Sequence, residues 1–167
     1  MSSPSYHTDF LANVFDAFPV PALVVDRDVR LIDCNVQAAR LIGRTSFARF
    51  DSAGRILGCV NSTKSPDGCG HAAGCRTCPI RNCVRQVFET GQTCRRKACV
   101  EALQEGRISQ MELLVTATPI PGEPEPVALL VLDDAVELSR LLTASPASSS
   151  PGSKARAKAH GRRTGNS

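Results

Sequence analysis

The sequence predicts an α+β fold, in which two short strands come first, helices and a cysteine-rich loop follow, and three strands come last. Three observations carry this prediction. Apolar residues recur at helical spacing near the N-terminus and again before Gly91. Short apolar runs bounded by turn-forming residues flank these helices, and the segment 45–77 shows little periodicity and is rich in Gly, Ser, Asp and Cys. The length of 167 residues suits one domain and a tail.

The first half should contain a helix, a β-hairpin and a second helix. An apolar stripe at helical spacing stops at Pro19 and Pro21, and Asp26-Arg27-Asp28 suits a tight turn between two apolar runs. Asn35 can cap the segment that follows. The predicted elements are a helix over 8–18, strands over 22–25 and 29–33, a helix over 36–42, and an irregular loop over 45–77 with one helical turn at 46–50.

The second half should contain a helix, three strands and a terminal helix. Pro79 stands at the first turn of a helical pattern and Gly91 just beyond its end, an asymmetry typical of helix termini. Strand-forming composition then recurs three times, broken by turn-forming residues. The predicted elements are a helix over 79–90, strands over 93–103, 109–119 and 127–133, and a helix over 136–143.

In this order of elements the chain resembles a PAS domain over about residues 8 to 138. The stretch from Phe15 to Asp26 with Val29 to Asn35 is similar to the opening of that family, where a helix feeds a hairpin and Asn begins the next helix. The resemblance implies a PAS-like five-stranded antiparallel sheet with helices on one face, enclosing a ligand or cofactor cavity. It also implies sensing, signal relay and a homodimer or a signalling partner protein.

The predicted organisation is a flexible N-terminus over 1–7, a PAS-like sensor domain over 8–144 with its cysteine-rich loop at 58–83, and a disordered basic tail over 145–167. The formal net charge of +4 arises in that tail, which has five cations and no acid. It could attach the protein to nucleic acid, although no aromatic residues lie between its charges, and a solvated tail is the favoured interpretation. The five cations are Lys154, Arg156, Lys158, Arg162 and Arg163.

The chain carries no secretory signal pattern and no apolar run long enough to span a membrane, so we expect a cytoplasmic protein without membrane contact. It has eight cysteines. Because disulfides do not persist as a structural frame in a reducing compartment, metal ligation or redox chemistry is the better hypothesis for them.

Four of these cysteines, Cys59, Cys69, Cys75 and Cys78, form the pattern C-x9-C-x5-C-x2-C. A C-x2-C pair brings two thiolates to one ion, and the glycines of the loop let the chain turn back to bring two more. Cys78 also lies where the helix of Pro79 begins, so the helix dipole should lower its thiol pKa. Nearby, Arg81 and Arg85 recur at helical spacing and could neutralise a group of thiolates, although an ordinary solvated helix face explains them equally well.

The spacing leaves the bound group open. Four thiolates suit a structural zinc ion, and similar spacings hold iron–sulfur clusters, which some PAS sensors carry. A thiol–disulfide switch between Cys75 and Cys78 is the third alternative. Cys83 could serve as a spare ligand or resolving thiol, and His71 could replace one cysteine. The remaining cysteines, Cys34, Cys94 and Cys99, are interpreted as packing residues, with the last two on opposite faces of one strand.

No sequence pattern supports catalysis. Phosphate-cradling loops and kinase motifs are absent from the sequence, and the three histidines stand in a terminus, the loop and the tail. We therefore expect a non-enzymatic sensor or regulatory domain in signal transduction or transcription regulation, with a four-cysteine metal or redox site, whose output passes through a partner. The alternatives are a dimerisation module with purely structural zinc and a nucleic-acid-associated regulator that uses the tail.

Overall fold

The computed structural model describes residues 4–41, 51–104, 106–122 and 124–143. Within this part of the chain, the elements follow the predicted order and form one five-stranded sheet. They are α1 (Pro4–Ala17), β1 (Ala22–Val25), β2 (Leu31–Cys34), α2 (Val36–Leu41), α3 (Ala53–Ile56), α4 (Val60–Thr63), a 3-10 helix (Ala73–Thr77), α5 (Pro79–Thr90), β3 (Cys94–Gln104), β4 (Arg107–Ile120), β5 (Val127–Asp134) and α6 (Ala135–Thr143).

The predicted α+β class and the five-stranded antiparallel sheet are confirmed. Strand order is β2-β1-β5-β4-β3, and every neighbouring pair is antiparallel. The first helix begins at Pro4, earlier than the predicted Thr8. The segment 45–77, predicted to be irregular, contains α3, α4 and the 3-10 helix. The helical turn predicted at 46–50 and the tail over 145–167 lie outside the described residues.

The core lies between the sheet and α5. This helix contacts β3, β4 and β5, and its apolar face is fully or almost fully buried against them. Leu130 on the central strand β5 stands opposite both Leu23 and Ala117, so one register unites the inward side chains of three strands. The buried face of α5 consists of Ile80, Cys83, Val84 and Val87.

The ends of α5 follow the sequence signals that predicted them. Pro79 occupies the first turn, where its missing N–H costs no helical hydrogen bond. Gly91 adopts a left-handed conformation with φ 67°, and its N–H donates to Val87 O at 2.8 Å. These local signals fix the position of the helix start, and therefore of Cys78 immediately before it.

One short segment, 51–59, runs from one edge of the sheet to the other, and we call it the crossing segment. At the β2 edge, Leu31 N donates to Asp51 O at 2.7 Å. At the β3 edge, Leu103 N donates to Gly58 O at 2.8 Å, and Cys59 forms an isolated bridge with Ala102. The crossing segment therefore places the first cysteine of the loop against an edge strand.

No helix in the described part of the chain is long and apolar enough to cross a membrane.

Candidate functional site

The four cysteines of the C-x9-C-x5-C-x2-C pattern line one small cavity of about 30 Å³. We call it the cysteine cavity. Its other walls come from the crossing segment, from α5 and from Val100 on β3. Because about 10–15 Å³ suffices for one water-sized sphere, the space accommodates a single ion or two waters and no organic cofactor.

Different elements position the four sulfurs. Cys59 precedes α4 and is tied to β3 by its bridge with Ala102. Cys69 follows Gly68, which has φ 80°, so a left-handed turn directs the chain towards the cavity. Cys75 lies in the 3-10 helix and is buried, and Cys78 is the N-cap residue of α5.

A close backbone approach fixes the position of Cys69. A Cβ atom on Gly54 would lie 2.6 Å from Cys69 Sγ, which is closer than two non-bonded atoms can stand. Gly54 belongs to α3, and its lack of a side chain lets that helix pack directly on the sulfur. Arg81 Nη1 lies 3.9 Å from the same sulfur.

The pKa of Cys78 is raised, contrary to the expectation from its position at a helix start. Burial is the largest cause, because it disfavours the thiolate. The backbone N–H groups of Arg81 and Ile80 at the start of α5 lower the pKa of Cys78, but the effect of burial is larger. Negative charge on Cys69 or Cys59 raises the pKa further, so these three sulfurs are close enough for their charges to interact.

The four sulfur donors suit a metal ion, although their side chains are not arranged as a metal site in this structure. Four sulfur donors around a space for one ion have the chemistry of a tetrahedral zinc site, in which each Zn–S distance is about 2.3 Å. Among the described residues, no group of three or more His, Cys, Asp or Glu side chains is arranged as a metal site. Metal binding would therefore require the cysteine side chains to turn inward together.

Cys83 lies in a different place from the other four. It is fully buried on the sheet side of α5, beside Cys94 on β3, and does not line the cysteine cavity. Burial raises the pKa of Cys83 to about 12, and a hydrogen bond with Cys94 adds to the shift. His71 is exposed and also does not line the cavity. Neither residue shares the cavity of the four-cysteine set.

The remaining cysteines match their predicted environments in part. Cys94 is buried while Cys99 is exposed, as expected for residues on opposite faces of one strand. The packing role predicted for Cys99 is therefore wrong, because its face of β3 is exposed. Cys34 is half-buried, and burial, followed by the negative charges of Asp33 and Asp16, raises its pKa.

A second opening lies beside the cysteine cavity and was not predicted. It is a cleft of about 480 Å³, and we call it the arginine cleft. Arg81 and Arg85 were visible in the sequence as a helical pair, but Arg27 and Arg76 come from the hairpin turn and the cysteine loop. Only the folded topology brings these distant residues together, so no local signal could have revealed the cleft.

The comparisons with known proteins agree with the fold. Residues 9–73 match a family model described as PAS domain. The PAS domain of nitrogen regulation protein NR(II) from Vibrio parahaemolyticus is 16% identical with a TM-score of 0.53, over 74% of this chain and 96% of that chain. The PAS domain of Bordetella pertussis BvgS is 18% identical with a TM-score of 0.51, over 83% and 95% respectively. No curated protein matches.

Proposed function

Because residues 9–73 match a PAS domain model and the fold is similar to solved PAS domains, we propose that this chain is a non-enzymatic sensory module of the PAS type whose input site is the cysteine cavity. The observation that carries the proposal is the shared position of four cysteines around one ion-sized space. One of the similar structures is the PAS domain of a nitrogen regulation protein, which favours a role in signal transduction or transcription regulation. Free thiols suit a cytoplasmic setting.

The bound group that fits best is one zinc ion held by Cys59, Cys69, Cys75 and Cys78. A cavity of about 30 Å³ has room for one ion, whereas an iron–sulfur cluster would need the loop to open further. Because the pKa of Cys78 is raised, its thiol is neutral near pH 7 without metal. Binding would therefore release protons and depend on pH.

An ion in this position would join the elements that meet at the cavity. Cys59 is bridged to the β3 edge, and Cys78 caps α5. Loss of the ion, or oxidation of the thiolates, would free the loop between these two elements. A chemical change at the sulfurs would therefore change how firmly the loop is held against the sheet. This change in the loop is the signal that we propose.

The output surface that we propose is an exposed apolar stripe formed by α1 and by Phe18, which follows the helix. The side chains of Phe10, Leu11, Val14 and Phe18 are 44% to 62% exposed, although they are large and apolar. Such a contiguous stripe typically marks a protein interface.

A homodimer through α1 would cover this stripe. A Leu11→Asp, Val14→Asp double variant should then shift the mass measured by light scattering from that of a dimer to that of a monomer. Equal masses for both proteins would exclude this interface, and Asn13→Asp, at an exposed polar position of the same helix, serves as the control.

Metal and acid-labile sulfide analysis of protein purified without oxygen tests the input site. We expect about one zinc per chain, lost in a Cys75→Ser, Cys78→Ser double variant and retained in Cys99→Ser, because Cys99 is exposed and outside the cavity. Detection of iron together with acid-labile sulfide would instead show that the site holds an iron–sulfur cluster. Wild-type protein without metal would contradict both metal forms and leave the thiol switch, which mass spectrometry of oxidised protein would reveal as a Cys75–Cys78 disulfide.

A further inference from the structure

The arginine cleft gathers positive charge from three separate parts of the chain. Arg27 comes from the turn between β1 and β2, Arg76 from the 3-10 helix, and Arg81 and Arg85 from α5. The cleft has a volume of about 480 Å³ and opens to solvent. This volume lies within the range of roughly 300–1,000 Å³ typical of small-molecule sites.

The positive charge in the cleft is only partly compensated. Two carboxylates, those of Asp28 and Glu89, also line it. Arg85 Nε lies 3.9 Å from Glu89 Oε1, but both side chains are about two-thirds exposed, so this pair is weak. Within the described residues, Arg27, Arg76 and Arg81 form no ion pair. An anion entering the cleft would therefore meet guanidinium groups that are not already neutralised.

Contacts hold one of these guanidinium groups in place. Arg81 is half-buried, and its Nη1 donates to the backbone oxygen of Asp28 at 3.0 Å. A Cβ atom on Gly70 would lie 2.8 Å from Arg81 Cζ, so the guanidinium packs directly against the backbone of Gly70. The φ of Gly70 is 104°, which also favours glycine. Arg81 is thus ordered before any ligand arrives, and this lowers the entropic cost of binding.

An apolar wall completes the cleft. Arg27 stacks over the ring of Phe88, with its Cζ 5.4 Å from the ring centroid, and Phe88 is half-buried. This contact orients the guanidinium of Arg27 through a cation–π interaction. The wall also offers contact to the carbon skeleton of an organic ligand.

We infer that the arginine cleft is a binding site for a small polyanion that carries two or more phosphate or carboxylate groups. Guanidinium groups bind both kinds of oxyanion in a bidentate manner, and several of them around one volume favour a ligand with several charges. The ligand is a small molecule, because the arginines surround a cleft of limited volume and do not form an extended stripe on the surface. The site requires no metal and no dimer, so it stands apart from the proposed function.

A link to the cysteine cavity deepens the inference and does rest on the proposed function. Arg81, Cys75 and Val29 line both openings. Arg81 Nη1 is also 3.9 Å from Cys69 Sγ. An anion that draws the Arg81 guanidinium towards the cleft would weaken this contact, and the two sites would then influence each other through one side chain.

Calorimetric titration of the full chain with sodium pyrophosphate and, separately, with citrate tests the anion site. We expect saturable binding of one anion per chain for at least one probe. An Arg76→Gln, Arg85→Gln double variant should weaken it by about tenfold or more, since charge-assisted contacts are lost. Neither of these two residues lines the cysteine cavity, so metal content should be unchanged. Pyrophosphate binding alone would assign phosphate ligands, and citrate binding alone would assign carboxylates.

The matched control is an Arg95→Gln, Lys97→Gln double variant. Both residues are exposed on β3 and lie outside the cleft, and the variant removes the same charge. The control should bind as the wild type does. Equal weakening in both variants would show attraction to net charge alone and overturn the site. Absence of saturable binding for both probes, or binding of a single-stranded oligonucleotide in place of either, would also overturn it.

Discussion

The side-chain oxygen of Asn35 accepts a hydrogen bond from the backbone N–H of Ala22 at 3.0 Å, which joins the start of α2 to the start of β1. The same Oδ1 accepts from Ala38 N at 2.9 Å as an N-cap, and Nδ2 donates to Val20 O at 2.9 Å. Asn35 is completely buried. One side chain therefore caps a helix, as the sequence predicted, and also ties that helix to the segment between α1 and the sheet.

Replacing Asn35 by alanine should lower the free energy of unfolding by about 2–4 kcal/mol, because the backbone groups of Ala22, Ala38 and Val20 lose the hydrogen bonds that this side chain makes. Urea denaturation followed by circular dichroism measures this. Asn13→Ala is the control, since Asn13 is exposed on α1. A change below about 0.5 kcal/mol in Asn35→Ala would show that water replaces the side chain.

Two glycine substitutions separate backbone strain from steric contact. Gly58 and Gly91 have nearly equal φ values of 65° and 67°. A Cβ on Gly58 would lie 2.7 Å from Leu103 O, whereas a Cβ on Gly91 would meet nothing within 4 Å. Gly91→Ala should therefore cost about 1 kcal/mol, and Gly58→Ala clearly more, in thermal or urea unfolding. Equal costs would mean that the crossing segment moves away from β3 without penalty.

Stability should decrease with pH above about 9 in a way that depends on Cys83. The pKa of this thiol rises from 9.0 to about 12 on folding, so the unfolded chain loses its proton first as pH increases. The resulting loss is about 1.4 kcal/mol for each pH unit between these values. Urea unfolding at pH 8 and pH 10 should show a smaller decrease for Cys83→Ala than for the wild type. Equal decreases would place the titration elsewhere.

Alkylation should distinguish the two cysteines of β3. Cys99 is exposed, and Cys94 is buried beside Cys83. Brief treatment with iodoacetamide at pH 8, followed by peptide mass spectrometry, should modify Cys99 first and leave Cys94 and Cys83 unmodified until urea is added. Early modification of Cys94 would show that α5 opens locally from β3.

The elements predicted from the sequence are those whose signals are local. Pro79 and Gly91 mark the ends of α5 by conformational preference alone, and the periodicity of the strands gives their inward faces. By contrast, α3 and α4 have four residues each, too few to form without tertiary contacts. Ser52 caps α3, and burial of Ile56 holds it, but neither feature separates this turn from an irregular loop in the sequence.

The cysteine cavity and the arginine cleft also differ in how far the sequence could predict them. Spacing in one loop was enough to group four cysteines, and the structure places them around one cavity. Metal binding there stays a prediction. The environment of Cys83 was not predictable, because it depends on which strand packs under α5. The arginine cleft depends on contacts between the hairpin turn, the loop and α5, which the order of residues does not reveal.

The crossing segment has a consequence for self-association. Edge strands offer unpaired N–H and C=O groups that can template the addition of another chain, and proteins protect them by covering them. Here Asp51 O accepts from β2 at one edge, and Gly58 and Cys59 occupy β3 at the other. If Gly58 and Cys59 detach from β3, the stretch at Ala102 and Leu103 becomes available to a strand of another molecule. The integrity of the cysteine loop therefore also protects the protein against aggregation by strand addition.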